Sequence, residues 1–332
     1  MAGRLTFMRA PEAALEQVSP GSIAVLGVPM ETNYGSRSGC RFGPLAMRET
    51  SVYFGWHANP QLAQPLDIST RTSFGAGTMH NRLVDLGDIP VDEVGDSRAF
   101  QRLTQAVCGV ARRGAMPLLL GGDFGMTAPA FEGVYQALRV SQGRQAQALG
   151  FLQMGGSLTA HGAAGRALGV MSPLEAMAEK GLLDYTRAVC ICPSAQVPRR
   201  SLQYFLACGG VLYSTRDIQI RGLANVMKEA LGRVCAGGES LYASVDMSLI
   251  ASEWHGMVNQ PDFEGLSAAQ ASQLLAALGA APVAALGLTG LNPAVNPLSV
   301  VKTGQRLMVS CLLGFIQAKA SQVDPVSKER NH

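Results

Sequence analysis

The sequence predicts a doubly wound α/β domain, in which a parallel sheet is covered by helices on both faces. Eight short apolar runs recur along the chain, each bounded by glycine or proline, and helical patterns separate most of them. The 332 residues are 47% hydrophobic, only 15% charged and include 38 glycines, which suits a large core with many tight turns. Strands that are apolar throughout need cover on both faces, so the alternation favours a parallel sheet.

The predicted elements span nearly the whole chain, so we expect one domain over 1–332, with an N-terminal extension at 1–20 and a polar tail at 322–332. An uncharged stretch at 274–291 is near the length of a membrane span, but its glycines and Pro282 favour a helix followed by a strand. The predicted strands are 22–28, 83–88, 116–122, 148–154, 187–193, 210–215, 240–246 and 282–288. The predicted helices are 97–113, 127–139, 173–181, 198–208, 220–236, 267–279 and 299–320.

Charge and cysteine content narrow the class of protein. The net charge is +3 and no basic run exceeds two residues, so neither nucleic acid nor a membrane is an expected partner. The seven cysteines are an odd number and lie mostly in apolar segments, which indicates reduced core residues in a cytoplasmic protein. Cys190 and Cys192 are two apart in a predicted strand, so we expect both side chains on one face.

Ligands of such folds bind at the carboxyl ends of the strands. One of these ends, LGGDFGMTAP at 120–129, combines a tight glycine turn with Asp123 and then Phe124, an apolar residue where a polar partner would be expected. The strand ends that define the expected site are 29–33, 123–125, 155–159, 246–248 and 289–293.

Four segments carry the motifs of interest: GVPMETNYGSRSGCRFGPLAMRETS (27–51), DLGDIPV (85–91), LGGDFGMTAPAF (120–131) and SVDMSLIASEW (244–254). They resemble signature boxes of the ureohydrolase family, which includes arginases, agmatinases, formiminoglutamases and guanidine hydrolases. The resemblance extends from about Ile23 to Phe315 and implies a three-layer α/β/α sandwich with an eight-stranded parallel sheet, assembled as trimers or hexamers. It also implies that active members hold two Mn²⁺ or Ni²⁺ ions, whose shared hydroxide attacks the guanidino carbon.

The departures from the family pattern fall on the metal ligands. One carboxylate cannot balance two dications, so we expect neither a dinuclear metal centre nor a catalytic residue in this chain. The substrate-side Glu of the last strand falls on Gly290, and the catalytic His-Gly falls near Val170 and Met171, with His161 nearby. The six ligand positions, of which only Asp246 keeps a ligand, are Phe124, Gly155, Ser157, Thr159, Asp246 and Ser248.

The residues that remain at the expected site allow several interpretations. Asp123 is typical of a helix cap or a turn residue, and Asp246 of a hydrogen-bond acceptor or a site for a lone cation or a ligand amine. Phe124 could fill the volume of the missing metals or be an ordinary core aromatic. Ser157 follows two glycines, as in a nucleophile elbow, although Thr159 replaces the last glycine of that motif. The predicted vestigial pocket comprises Asp123, Asp246, His161 and Gly290.

The resemblance and the residues left at the expected site lead to three hypotheses for function. In the first, the chain is the non-catalytic subunit of a heteromeric ureohydrolase, supporting a metal-competent paralogue that holds dinuclear nickel or manganese in a trimer- or hexamer-type assembly. The complex would hydrolyse a guanidine or a biguanide such as metformin. In the second, the chain is a homo-oligomeric binding or regulatory protein that uses the emptied pocket for a cationic guanidino ligand. In the third, Ser157 serves a metal-free hydrolase.

Overall fold

The computed structural model describes residues 5–32, 38–54, 82–92, 97–142, 149–158, 173–193, 197–236, 240–250, 258, 262, 264–295 and 298–323. Its centre is an eight-stranded sheet in which all neighbouring strands run parallel, in the order β2-β1-β3-β8-β7-β4-β5-β6. The strands are β1 (Ile23–Val28), β2 (Leu83–Asp88), β3 (Met116–Gly121), β4 (Gly150–Met154), β5 (Ala188–Ile191), β6 (Val211–Tyr213), β7 (Leu241–Asp246) and β8 (Val283–Thr289).

Helices cover both faces of this sheet. The described helices are α1 (Gly43–Ser51), α2 (Ser97–Arg112), α3 (Thr127–Gln142), α4 (Pro173–Glu179), α5 (Arg199–Ala207), α6 (Thr215–Arg221), α7 (Leu223–Val234), α8 (Ala268–Gly279) and α9 (Leu298–Val323). Helices α2 to α5 contribute buried side chains to the core on one face, and α1 with α6 to α9 to the core on the other. The predicted three-layer α/β/α sandwich is therefore confirmed.

All eight strands lie where the sequence predicts them. Helix α1 was not predicted, and two further details of the prediction are wrong. The helix predicted at 220–236 is two helices, α6 and α7, because Gly222 adopts φ +82° between them. Helix α6 begins at Thr215, before the predicted start at residue 220, because Ser214 and Asp217 form a capping box. Cys190 and Cys192 do not share a face, since β5 ends at Ile191 and Cys192, with φ +46°, turns into the opposite core.

The uncharged stretch at 274–291 is divided as expected, with α8 ending at Gly279 and β8 beginning at Val283. Within the residues described above, no helix is both long and apolar enough to cross a membrane. The seven cysteines are all unpaired thiols.

A buried ion network joins the amino-terminal segment to the sheet. The guanidinium of Arg48 on α1 donates from Nε and Nη2 to the two carboxylate oxygens of Asp85 on β2, each at 2.9 Å, and from Nη1 to Asp88. Asp85 also accepts from the main-chain amide of Phe7 at 2.7 Å. Phe7 and Met8 are fully buried, so this part of the predicted N-terminal extension belongs to the core.

Candidate functional site

The candidate site lies at the carboxyl ends of β3, β8, β7 and β4, which are neighbours in the sheet. Asp123 and Gly290 follow β3 and β8, while Asp246 ends β7 and Gly155 follows β4. The main-chain amide of Gly290 donates to the carbonyl of Gly122 at 2.9 Å, which holds the first two of these ends together. The parallel sheet thus gathers four of the predicted site segments at one edge.

Asp123 organises the turn after β3 and the loop after β1. Its side chain caps the 3-10 turn Phe124–Met126 by accepting from the amide of Gly125 at 3.0 Å. It also accepts from the amide of Thr32 and from the Thr32 hydroxyl, at 2.9 Å from Oγ1 to either carboxylate oxygen. Asp123 is buried, so these bonds offset the cost of placing a carboxylate there. Its observed contacts are those of a turn residue.

Asp246 caps the 3-10 turn Met247–Leu249 in the same way. Its Oδ1 accepts from the amide of Ser248 at 3.0 Å, and its Oδ2 accepts from the hydroxyl of Thr289 at 2.8 Å. Burial raises the pKa of Asp246 and the charge of Asp123 raises it further, whereas the bonds from Ser248 and Thr289 act in the opposite direction. The carboxylate is therefore held in place by neutral donors and repelled by a second carboxylate.

Two glycines lie at this edge, at positions where the resemblance predicts carboxylate side chains in metal-binding relatives. Gly155 has φ +71°, and a Cβ built there would lie 2.6 Å from the amide nitrogen of Leu249. Gly290 has φ +78°, and a Cβ there would lie 2.6 Å from Oδ2 of Asp246. Both positions combine a left-handed backbone with occupied space, so neither can take Asp or Glu without movement of its surroundings.

The remaining ligand positions have other contacts or lie outside the described residues. The hydroxyl of Ser248 accepts from the amide of Gly156 at 2.8 Å, which ties the β4 turn to the β7 turn. Phe124 begins the turn after Asp123 and is only partly buried. The carbonyl of Ser157 accepts from Nε2 of Gln153 at 3.3 Å. Thr159 and His161, like Val170 and Met171, lie outside the described residues.

Sequence reasoning missed two buried residues beside this edge, Glu31 and Cys40. Glu31 follows β1 and accepts from the amide of Gly39 at 2.6 Å and from the hydroxyl of Ser38 at 3.2 Å. Burial raises the pKa of the Cys40 thiol, and the charges of Asp123, Asp246 and Glu31 raise it further. The three carboxylates therefore lie close to the Cys40 thiol. Glu31 belongs to the predicted strand end 29–33, which was the available signal.

A dinuclear metal centre does not fit the residues described at this edge. No group of three or more His, Cys, Asp or Glu side chains that could hold an ion occurs in the described part of the chain. Asp246 has its two oxygens bound by Ser248 and Thr289, and Asp123 is bound by Thr32 and Gly125. Carboxylates bridging two cations would have to give up such bonds.

The parallel eight-stranded sheet between two helix layers, with polar strand ends at one edge, defines a fold of the arginase type. The arginase family profile matches residues 21–314, and this chain belongs to the arginase family. It is 28% identical over 278 residues to the mitochondrial guanidino acid hydrolase of Homo sapiens, covering 82% of this chain and 71% of that protein. It is 26% identical over 282 residues to guanidinobutyrase of Pseudomonas aeruginosa, covering 82% and 80% of the two chains.

Solved structures share the fold at lower sequence identity. Proclavaminate amidino hydrolase from Streptomyces clavuligerus superimposes with a TM-score of 0.74 at 20% identity, over 96% of this chain and 98% of that one. Formiminoglutamase from Trypanosoma cruzi with Mn²⁺ superimposes with a TM-score of 0.76 at 20% identity, over 95% and 97% of the two chains. The Mn²⁺ ions are a feature of the Trypanosoma cruzi enzyme.

Proposed function

We propose that this chain is the non-catalytic subunit of a heteromeric ureohydrolase. Its partner is a metal-bearing sister subunit, with nickel or manganese, that hydrolyses a guanidine or a biguanide such as metformin. The chain itself holds no dinuclear metal and no catalytic residue. The observation that carries this proposal is the backbone at Gly155 and Gly290, where the side chains expected of a metal-binding relative have no room.

The polar contacts of the site support the same proposal. Asp246, Ser248 and Asp123 are engaged in capping and in tying turns together, which are structural roles. A chain that keeps the family fold without the ligands can still take a position in a ring of related subunits. There it can support the sister subunit or shape the entrance to that subunit's active site.

An exposed apolar ridge on and beside α1 supports a role in assembly. Phe42, Leu45 and Tyr53 are 47%, 50% and 57% exposed, and the guanidinium of Arg41 lies 5.1 Å from the Phe42 ring centroid. Large apolar side chains grouped on a surface are typical of protein interfaces, and Arg beside aromatics is enriched there. The first residue of α1 packs against the candidate site, since a Cβ on Gly43 would lie 2.6 Å from the carbonyl oxygen of Gly121 and 3.2 Å from that of Leu291. A partner bound to the ridge would therefore lie near that site.

Native mass spectrometry with metal analysis tests the proposal. The chain is purified alone and co-expressed with a paralogue that keeps all six metal ligands. We expect the lone chain to be metal-free and inactive, and the mixed complex to contain metal and to hydrolyse metformin or a simpler guanidine. Hydrolysis by the lone chain after loading with Ni²⁺ or Mn²⁺ would refute the proposal.

A pair of surface variants sharpens this experiment. Leu45→Asp places a charge on the ridge and is expected to abolish the mixed complex while leaving the fold intact, as measured by circular dichroism. Val140→Asp is the matched control, because Val140 is also exposed but lies on α3, in the opposite helix layer. A mixed complex that tolerates Leu45→Asp would exclude the ridge as the interface.

The crowding of carboxylates favours a second candidate, a homo-oligomeric binding or regulatory protein for a cationic guanidino ligand. Three carboxylates lie close enough to the Cys40 thiol to raise its pKa, namely those of Asp123, Asp246 and Glu31. In addition, Oε1 of buried Gln153 has no hydrogen-bond partner among the described residues. A guanidinium would supply both positive charge and donors. This candidate predicts that butylguanidinium raises the melting temperature of the lone chain, whereas butylurea, its uncharged analogue of the same length, does not.

A further inference from the structure

A cavity lies at the amino ends of the central strands, opposite the candidate functional site. Its volume is about 280 Å³, near the lower end of the range of small-molecule pockets. It is lined by the first residues of three neighbouring strands, Ile23 of β1, Met116 of β3 and Val283 of β8. Nothing in the proposed function uses this cavity.

The cavity contacts both helix layers. Val134 and Leu138 of α3 supply apolar surface from one layer, and Lys319 of α9 reaches it from the other. Helix α3 belongs to the core on one face of the sheet, and α9 to the core on the opposite face. A ligand here would therefore contact both layers and the sheet edge together.

Both charged residues in the described lining of the cavity are basic. Arg82, just before β2, and Lys319 are the charged residues of its described lining, and no carboxylate is among the described lining residues. The Lys319 ammonium donates to the carbonyl of Ala281 at 3.0 Å. Burial lowers the pKa of Lys319 to about 8, and the Cys235 thiol acts weakly in the opposite direction. An anion in the cavity would favour the charged form of Lys319.

We propose that this cavity is a binding site for a small organic monoanion, namely a carboxylate with a short aliphatic chain. The carboxylate binds between Arg82 and Lys319, and the chain packs against Met116, Val134 and Leu138. A guanidinium or ammonium compound is excluded by the two cations, so the cavity differs in ligand class from the acidic edge at the other end of the strands. The proposal stands independently of the proposed function.

Hexanoate is the probe, with hexanol and hexylammonium as neutral and cationic controls of the same length. We expect hexanoate to raise the melting temperature of the full chain and to bind measurably by isothermal titration calorimetry, while the two controls do neither. Lys319→Met keeps the length of the side chain and removes its charge. It is expected to weaken hexanoate binding about tenfold, the loss of one charge-assisted contact. Lys228→Met, at an exposed lysine on α7, is the matched control and leaves binding unchanged.

The pH dependence of the unmodified chain provides a second readout that needs no variant. Lys319 loses its charge as the pH rises through about 8, so hexanoate affinity falls between pH 7 and pH 9. Burial raises the pKa of Cys235 above its ordinary value, so this thiol ionises above that range. Equal responses to hexanoate and hexanol, or an affinity independent of both pH and Lys319→Met, would overturn the proposal.

Discussion

Two buried charged regions of this protein are built in opposite ways. Around Arg48, one guanidinium meets two carboxylates, and every group in the network has an ionic or hydrogen-bonded partner of complementary charge. At the carboxyl ends of the central strands, the described hydrogen bonds to Asp123 and Asp246 come from neutral donors, and each carboxylate repels the other. The first arrangement anchors the amino-terminal segment, whereas the second keeps acidic groups together at a cost.

The pKa values express the same difference. Burial alone would lower the pKa of Arg48, but Asp85 and Asp88 outweigh it and the pKa is raised, so the charged form is favoured. The pKa of Asp246 is also raised, which for an acid disfavours the charged form. The structure thus favours the charged form of Arg48 and disfavours the charged form of Asp246. Substitutions in the two regions are expected to have different effects on stability.

The largest effect is expected for Arg48→Met. The variant leaves Asp85 buried without its cation, and loss of one partner of a buried pair costs about 3–5 kcal/mol. Urea unfolding followed by circular dichroism measures the free energy of unfolding. Arg98→Met is the control, because Arg98 forms an exposed pair with Asp92 at 3.1 Å, and such pairs contribute about 1 kcal/mol or less. Equal losses for the two variants would mean that the Arg48 network does not anchor the fold.

An intermediate effect is expected for Gly155→Asp, which restores a ligand of the family pattern. A left-handed φ combined with overlap at the Leu249 amide is expected to cost about 3 kcal/mol or more. Gly181→Asp is the control, since Gly181 has φ +63° and a Cβ placed there would meet nothing within 4 Å, so this variant should cost about 1 kcal/mol. A Gly155→Asp variant of normal stability that binds Mn²⁺ by calorimetry would show that the edge is still open to metal.

The smallest effect is expected for Asp246→Asn. An amide can accept from the Ser248 amide and donate to the Thr289 hydroxyl, while the repulsion by Asp123 disappears. Because the folded pKa of Asp246 is raised, its ionisation lowers stability as the pH rises from about 4, the ordinary Asp pKa, through the folded pKa. We expect the variant to be more stable than the parent at pH 7, by about 1 kcal/mol.

Below pH 4 the advantage of Asp246→Asn should vanish, since the parent carboxyl is then protonated in both folded and unfolded states. Denaturant titrations at pH 3.5, 5 and 7 measure this trend. An advantage that is constant with pH would contradict the assignment of the penalty to charge.

The sheet could be predicted from the sequence because its signal is local. Each strand is a short, mostly apolar run, and all eight runs were located along the chain in this way. The break at Gly222 and the turn of Cys192 into the opposite core depend on single residues with positive φ, which a periodic pattern does not reveal. The helix α6 was missed as a separate element because its capping box lies directly after a very short strand.

The site was predictable in position but not in contacts. Strand ends indicate where polar groups meet, and they located Asp123, Asp246 and Gly290 at one edge. The bonds from Thr32 to Asp123 and from Thr289 to Asp246 join residues 91 and 43 positions apart, so only the folded register reveals them. The proximity of Cys40 to three carboxylates is likewise a property of the tertiary structure.

The glycines at 155 and 290 also bear on how such a chain could change over generations. A codon change that installs a carboxylate at position 155 places it against the main chain of the β7 turn, and one at position 290 places it against the carboxylate of Asp246. Compensating shifts in the neighbouring turns would have to arise first or at the same time. Under the proposed function, no single substitution at either glycine leads to a metal-binding sequence, and coordinated substitutions would be needed.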